Sequence, residues 1–327
     1  MIVEKFSREL HKNIWDEFVR AGKNKTFLFY REFMDYHSDR FLDSSYMIYD
    51  EKNALIALVP ANISKHKQAT IISHEGLSYG GVVVKKDVKL KTVIGIFYHF
   101  LKHLCQNNVE SFQLKQIPAF YNTTVTDEIE YVMFLLGASL FRRDVAFVVD
   151  QSNKINCSGN IRRESEKAKK AGAVIKEEHD MTAFWEGILI PNLAERFGVN
   201  PVHSLSEINL LKKRFPVNIR QFNTFSGDRI LAGVTLFIEG GVVHSQYISS
   251  NEEGRKTGAL NYLFRYLIDE VFVDHKYFDF GIVNEENGTK INEGMLFWKE
   301  SFGGRSMRHD FYNIQTNSFD KLEKYLV

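Results

Sequence analysis

The segment VVHSQYISSNEEGRKTGALNYLF carries the densest chemistry in the chain. A strand pattern ends, a loop holds Gly254 and Gly258, and a helical pattern begins at once. Backbone N–H groups and the helix dipole then face whatever occupies the loop, which makes it a ready anion site. Arg255 and Lys256 add charge, and glycine lets a pyrophosphate come close to the backbone. An ordinary loop with a glycine near a helix start gives the same pattern. On the strand, alternation puts Val242, His244, Gln246 and Ile248 on one face and Val243, Ser245, Tyr247 and Ser249 on the other. The polar pair His244 and Gln246 is unusual on a central strand whose faces should be covered. An active-site imidazole and a hydrogen-bonded core histidine both account for it.

Further groups able to move protons or hold charge lie outside that segment. In YFDFG, Asp279 alternates with Phe278 and Phe280 and points away from them, where it could orient an amine or a sugar hydroxyl or cap a turn. Lys299, between Trp298 and the FGG of SFGG, is either an oxyanion- or phosphate-holding cation or a surface lysine. In PVHSLSEI, Ser204 and Glu207 have capping-box spacing, so Ser204 caps a helix rather than acting as a nucleophile, and His203 sits just outside the cap. SHEGLSYGG gathers His74, Glu75 and Tyr79 in a polar loop at a strand end. His99 and His103 are four apart on a helix face, but no third ligand has identifiable spacing, so no metal is expected. The sequence has no G-x-S-x-G elbow, Walker loop or cysteine nucleophile motif.

These groups need elements to position them. Helices are expected near 11–20 and 30–37, followed by antiparallel strands at 46–49, 55–61 and 70–73. TVIGIFYHFLKHLCQNN places Val93, Ile96, Phe97, Phe100, Leu101 and Leu104 on one helical face, and VESFQLKQIP reads as a strand. The second half repeats the order. NIRQFNTFSGDRILAGVTLFIEGGVVHSQYISS gives three strands, GALNYLFRYLIDEVF an amphipathic helix, and YFDFG a closing strand. ALIALVPA aligns with ILAGVTLF and TIISHEG with VVHSQYI, which suggests a duplicated β-β-β-α-β module. Between the halves, residues 160–170 hold five basic and two acidic residues on an expected helix ended by Gly172. That stretch is a solvated helix face or a surface for phosphates or RNA.

Composition bounds the rest. The 327 residues suit two domains, and 42 basic against 41 acidic residues leave +1, so no overall charge excess points to DNA or an anionic membrane. Two cysteines fit a reducing cytosol and cannot build a disulfide framework. MIVEKFSREL lacks an apolar leader core, and no stretch approaches the ~18 apolar residues of a membrane span. A cytoplasmic protein without membrane insertion is expected.

In its strand–loop–helix–strand context, the Arg255–Gly258 segment resembles the acyl-CoA-binding element of the GNAT acyltransferase superfamily, with Leu260 departing from the small residue usual at the last motif position. NIRRESEKAKKAGAVIK, FWEGILIPNLAERFGVNPVHSLSEINLLKKRFP and MLFWKESFGG resemble the FemAB-like branch, whose members carry two GNAT-like domains. The resemblance spans about 27–310. It implies an α/β (α+β) fold of tandem GNAT-like domains, each a mixed, mostly antiparallel sheet flanked by helices. The expected division is 1–150 on the acceptor side and 151–311 on the donor side, with 312–327 packing back on the first. It further implies N-acyl transfer from acyl-CoA, acetyl-CoA foremost, to an amine such as an amino sugar or cell-envelope precursor.

Amine acylation needs a base and an oxyanion donor, for which His203, His244, Tyr247, Asp279 and Lys299 are the candidates. Gly254, Arg255, Lys256, Gly258 and Ala259 would hold the donor, and His74, Tyr79 and Gln246 the acceptor. Two alternatives stand beside this reading. One is an aminoacyltransferase using aminoacyl-tRNA on a peptidoglycan-type precursor, although 181–216 has room for only two short helices and no long helical arm. The other is a non-catalytic binding protein on the same scaffold.

Overall fold

The computed structural model describes residues Met1–Leu326, the Phe197 side chain excepted. The chain forms two compact units, Met1–Asp144 with Arg308–Val327, and Val145–Met307. The last residue of the C-terminal segment, Val327, lies outside the described residues. Each unit sets a mixed, mostly antiparallel arrangement of strands against helices. Among the described residues, no helix is long and apolar enough to cross a membrane.

The first unit is built on the helix Leu90–Gln106, whose Val93, Ile96, Phe97, Phe100, Leu101 and Leu104 are all fully buried. The apolar period read from the sequence is therefore the face that meets the core. The strands of this unit do not form the single run expected. Tyr46–Tyr49 pairs with Leu55–Val59, Ile2–Lys5 joins the first of these, and Val83–Val84 joins the second. Thr70–Ile72 pairs instead with Asn62–Ile63 and, in parallel, with Ser111–Lys115. The switch falls at Pro60, which has no N–H to extend the ladder of Leu55–Val59. The C-terminal strand contributes Phe311–Gln315, antiparallel to Ser111–Lys115, and Leu322 beyond it is buried in the core of this unit.

In the second unit the strands run in the order 145–150, Tyr277–Ile282, Val242–Ser250, Arg229–Glu239, Ile219–Ser226 and Val174–Glu178. The only parallel pair in this order is Val242–Ser250 with Tyr277–Ile282. One face packs Val234, Leu236, Val243, Phe278 and Phe280 against Leu263, Phe264, Leu267 and Ile268. The helix carrying those last residues departs from expectation at both ends. Asn251 caps Glu252–Thr257 by accepting the Gly254 N–H, Gly258 at φ +77° forms a hinge, and Ala259–Tyr266 follows before a π-helical turn at Leu267–Val271. Helix therefore starts immediately after the strand, before the two glycines rather than after them.

Candidate active site

The strand Val242–Ser250 is the spine of the site, and its register overturns simple alternation. It pairs with Arg229–Glu239 so that Leu236 faces Ser245 and Thr235 faces Tyr247, and Gln246 is the residue the register skips. An extra residue in one strand reverses the facing of everything beyond it. Val243 and Leu236 belong to the apolar, helix-covered face, and Ile248 packs there too. His244 and Tyr247, expected on opposite faces, consequently share the other one. Gln246 occupies the bulge instead of alternating regularly with His244.

His244 stands opposite Asp279 in the parallel pair, and its Nδ1 lies 2.6 Å from Asp279 Oδ2. Asp279 is fully buried, while the His244 side chain keeps 12% exposure. With the carboxylate accepting, Nδ1–H is the donor and Nε2 becomes the basic nitrogen of the ring, the orientation a general base requires. Asp279 Oδ1 accepts the Gly281 N–H at 2.7 Å. Beyond His244 and Asp279 the parallel pairing ends, although Val242–Ser250 continues to Ser250. Gly281 at φ +74° turns the second strand aside, and an added Cβ there would lie 3.4 Å from His244 Cε1.

Lys299 holds this departure in place. Its ammonium donates to the carbonyls of Gly281 at 2.9 Å and Ile282 at 2.7 Å, and it is buried rather than on the surface. Burial pushes its pKa down to about 8, with Asp279 opposing the shift. Lys299 is therefore a fixed buried cation beside the histidine–aspartate pair.

His203 approaches from the turn before the helix Leu205–Arg214. Ser204 caps that helix, with the Ser204 Oγ and Glu207 carboxylate bonds of a full capping box. The cap fixes the backbone so that the His203 N–H donates to Tyr247 Oη at 3.3 Å, and Nδ1 lies 2.5 Å from the same oxygen. Burial pushes the Tyr247 phenol up to about 12, against the opposing pull of its hydrogen bonds to His203 and Gln246. It thus stays a neutral proton donor through the physiological range. Trp185 packs edge-on against the Tyr247 ring at 4.9 Å, a contact that no sequence spacing marked.

The glycine segment has a different local logic from the one expected. A Cβ on Gly254 would lie 2.1 Å from Leu231 O and one on Gly258 2.7 Å from Glu164 O, so both glycines serve close packing. Ala259 is fully buried beside them. Arg255 Nη1 donates to Ser250 O at 2.7 Å, which leaves most of its guanidinium donors for other partners, and Lys256 pairs with Glu252 on the surface. His74 and Tyr79 belong to the first unit. His74 stacks on His37 at 5.2 Å with the rings 10° apart, and Tyr79 meets Tyr121 and His309. His99 and His103 lie on the helix Leu90–Gln106, and no group of three potential metal ligands occurs among the described residues.

Residues 156–287 match the model of the acetyltransferase (GNAT) domain. A comparison with curated protein sequences finds no match. Among solved structures, the chain is similar to FemX, at 12% identity and TM-score 0.67 over 99% of this chain and 100% of that one. It is similar to L-PGS from Bacillus licheniformis, at 12% identity and TM-score 0.61 over 96% of each. It also resembles a tandem GNAT protein from the clavulanic acid biosynthesis pathway, at 9% identity and TM-score 0.51 over 96% and 98%. The chain has the GNAT-superfamily, FemAB-like tandem fold, and its second unit carries the matched domain.

Proposed function

We infer that the chain is an N-acyltransferase that moves an acyl group from acyl-CoA, acetyl-CoA in the simplest case, to the amine of a small-molecule or glycan-precursor acceptor. The parted strand pair beside His244 and Asp279 is the observation that carries this reading. An unpaired strand edge offers backbone donors and acceptors to an extended chain bearing amides, as an added strand would use them. A thioester at the end of such a chain would sit beside the one strand face that holds both His244 and Tyr247. Arg255 and Lys256, on the helix that follows the strand, supply positive charge for the donor phosphates.

In this reading the acceptor amine adds directly to the thioester carbon, forming the C–N bond and an oxyanion whose collapse breaks the C–S bond and releases the CoA thiolate. His244 Nε2 takes the proton from nitrogen, oriented for that role by Asp279 at Nδ1. The neutral phenol of Tyr247 donates to the developing oxyanion or to the departing sulfur. His203 fixes the phenol, and Lys299 keeps the second strand turned away. The GNAT domain match over 156–287 supports the transferase class.

Isothermal titration with acetyl-CoA and with CoA, followed by turnover against an amine panel, tests the reading. Binding should weaken in Arg255→Ala, and turnover should fall in Tyr247→Phe without loss of binding. Wild type that neither binds nor turns over at millimolar donor sinks the proposal, and binding without turnover leaves a binding protein. One observation favours an aminoacyl-tRNA donor instead: Arg162, Arg163, Lys169 and Lys170 are all exposed on the helix Gly159–Lys170. RNA binding that falls steeply with salt and disappears on charge reversal there would select that donor.

A further inference from the structure

The sheet of the second unit has two unlike faces. Against the helices it is mostly apolar, from Phe222 and Val234 to Leu236 and Phe278, with one buried polar side chain, Thr224, bonded to Ala259 O. On the face shared by His244 and Tyr247, three side chains that are all fully buried are polar: Thr235, Gln221 and Asn223. Burying an amide or hydroxyl without a partner is costly, so an apolar filling would have been the simpler solution. These groups instead form one continuous chain. Trp185 Nε1–H donates to Thr235 Oγ1 at 3.4 Å, and Thr235 donates to Gln221 Oε1 at 2.6 Å. Gln221 Nε2 donates to Asn223 Oδ1 at 2.7 Å, and Asn223 Nδ2 to Glu178 Oε2 at 2.5 Å.

Registry makes the chain possible. Gln221 pairs across strands with both Thr235 and Glu178, and Asn223 pairs with Gly233. Gly233 must lack a side chain, because a Cβ there would lie 2.5 Å from Asn223 Oδ1 and 2.4 Å from Phe184 Cδ2. The chain also has a direction. A carboxylate at its end can only accept, so Asn223 must present its NH₂ to Glu178 and its carbonyl to Gln221. Gln221 must then present its carbonyl to Thr235, whose hydroxyl proton is thereby committed and whose lone pair faces the indole. One carboxylate thus sets every amide orientation and hydroxyl proton between itself and Trp185.

We propose that Glu178, Asn223, Gln221 and Thr235 are positioning residues that lock the Trp185 indole against Tyr247, and so hold the phenol for the transfer step. The proposal rests on the reading of the His244–Tyr247 face as the transfer site. Trp185 starts the π-helical turn Trp185–Leu189, a local irregularity that places its ring edge-on to Tyr247, whose hydroxyl is bound by His203. None of the four touches the reacting atoms. Their effect reaches the site through the indole, and a small misplacement there would lower turnover more than donor binding.

The test uses ¹⁵N-tryptophan-labelled protein and reads its indole N–H resonances. Trp15 donates to Phe29 O and Trp298 to Asn261 Oδ1, so Trp→Phe variants assign each signal. Thr235→Val, a near-isosteric change, and Glu178→Leu should shift and broaden the Trp185 signal alone. Thr235→Ser and Glu178→Gln, which keep the acceptor oxygen, should restore it. In acetyl-CoA-dependent turnover, the first two variants should lose about 10-fold in kcat with little change in KM for the donor, and the conservative pair should recover it. An unmoved Trp185 signal in Thr235→Val overturns the proposal. So does a moved signal with unchanged kcat, which would make the chain merely structural. If wild type transfers no acyl group while the Trp185 signal responds as stated, the transfer reading fails and the lock on the indole stands.

Discussion

Both units place a parallel strand pair in the middle of their fold, and the two pairs share a three-residue register. In the first unit Thr70, Ile71 and Ile72 face Ser111, Phe112 and Gln113, and in the second Val242, Val243 and His244 face Tyr277, Phe278 and Asp279. Beyond the third pair the two units diverge. In the first unit the chain fills its own junction: the Ser73 N–H donates to Gln113 O, the Lys115 N–H to Ser73 Oγ, and the Gly80 N–H to Lys115 O. Lys115 Nζ donates to Leu77 O as well, and desolvation brings its pKa to about 8. In the second unit Lys299, likewise brought to about 8, binds the carbonyls of Gly281 and Ile282 and keeps the strands apart. A desolvated lysine ammonium closes one junction and opens the other. The residues at the third pair differ accordingly, Ile72 and Gln113 against His244 and Asp279.

Under the proposed acyl transfer, the comparison predicts that turnover depends on one junction alone. His244→Ala and Asp279→Asn should reduce kcat/KM by roughly 10²–10⁴, the usual range for a lost general base or its orienting partner. Gln113→Ala at the matching position should leave turnover near wild type. An equal loss in both units, measured by steady-state acetyl transfer, would break the comparison. The next largest effect concerns stability. Lys299→Met strips two buried carbonyls of their donor and should cost about 2–3 kcal/mol in denaturant unfolding, with weaker acetyl-CoA binding. Gly80→Ala drives a Cβ to 1.7 Å from Ser73 O and should cost about 1–3 kcal/mol by overpacking. Its acetyl-CoA affinity should stay unchanged. A Gly80 variant that loses affinity would mean that the closed junction also serves the donor.

How much of this was legible in the sequence depends on the element. The helix Leu90–Gln106 was readable because its apolar period is long and its burial follows that period. The Ser204 cap was readable because capping is local chemistry within four residues. Asp279 could be set apart from Phe278 and Phe280 because alternation holds over those three residues, and both phenylalanines pack in the apolar core. The shared face of His244 and Tyr247 could not be read. A bulge at Gln246 is defined by the partner strand's register, and no single-strand pattern carries it. Gly254 and Gly258 suggested a phosphate cradle because glycine before a helix has one familiar use, whereas tight approach to Leu231 and Glu164 is a tertiary fact. Trp185, Gln221, Asn223 and Glu178 gave no signal, since their chain runs across strands far apart in sequence. The break at Pro60 was visible in principle as a missing N–H within ALIALVPA.

The smallest effect sharpens the comparison from the closed side. The loop that fills the first junction is held at His74, which adopts φ +66° and stacks on His37, while His37 Nε2 meets Gly76 O at 3.1 Å. Burial lowers the pKa of both imidazoles. For His74, the nearby His37, Arg31 and Lys115 act in the same direction, and for His37 Arg40 lowers while Asp39 raises. A histidine with a depressed folded pKa contributes its full stability above the unfolded value of about 6.5. As pH falls below that value the unfolded chain binds protons first, so stability declines toward acid. Thermal unfolding followed from about pH 8 to pH 5 should show this decline, with hydrogen exchange rising first in residues 73–81. His74→Asn, which tolerates a positive φ and does not titrate there, should flatten the acid limb. If the limb keeps its slope in that variant, the imidazole stack is not what closes the junction. Closure would then rest on Ser73, Gly80 and Lys115 alone.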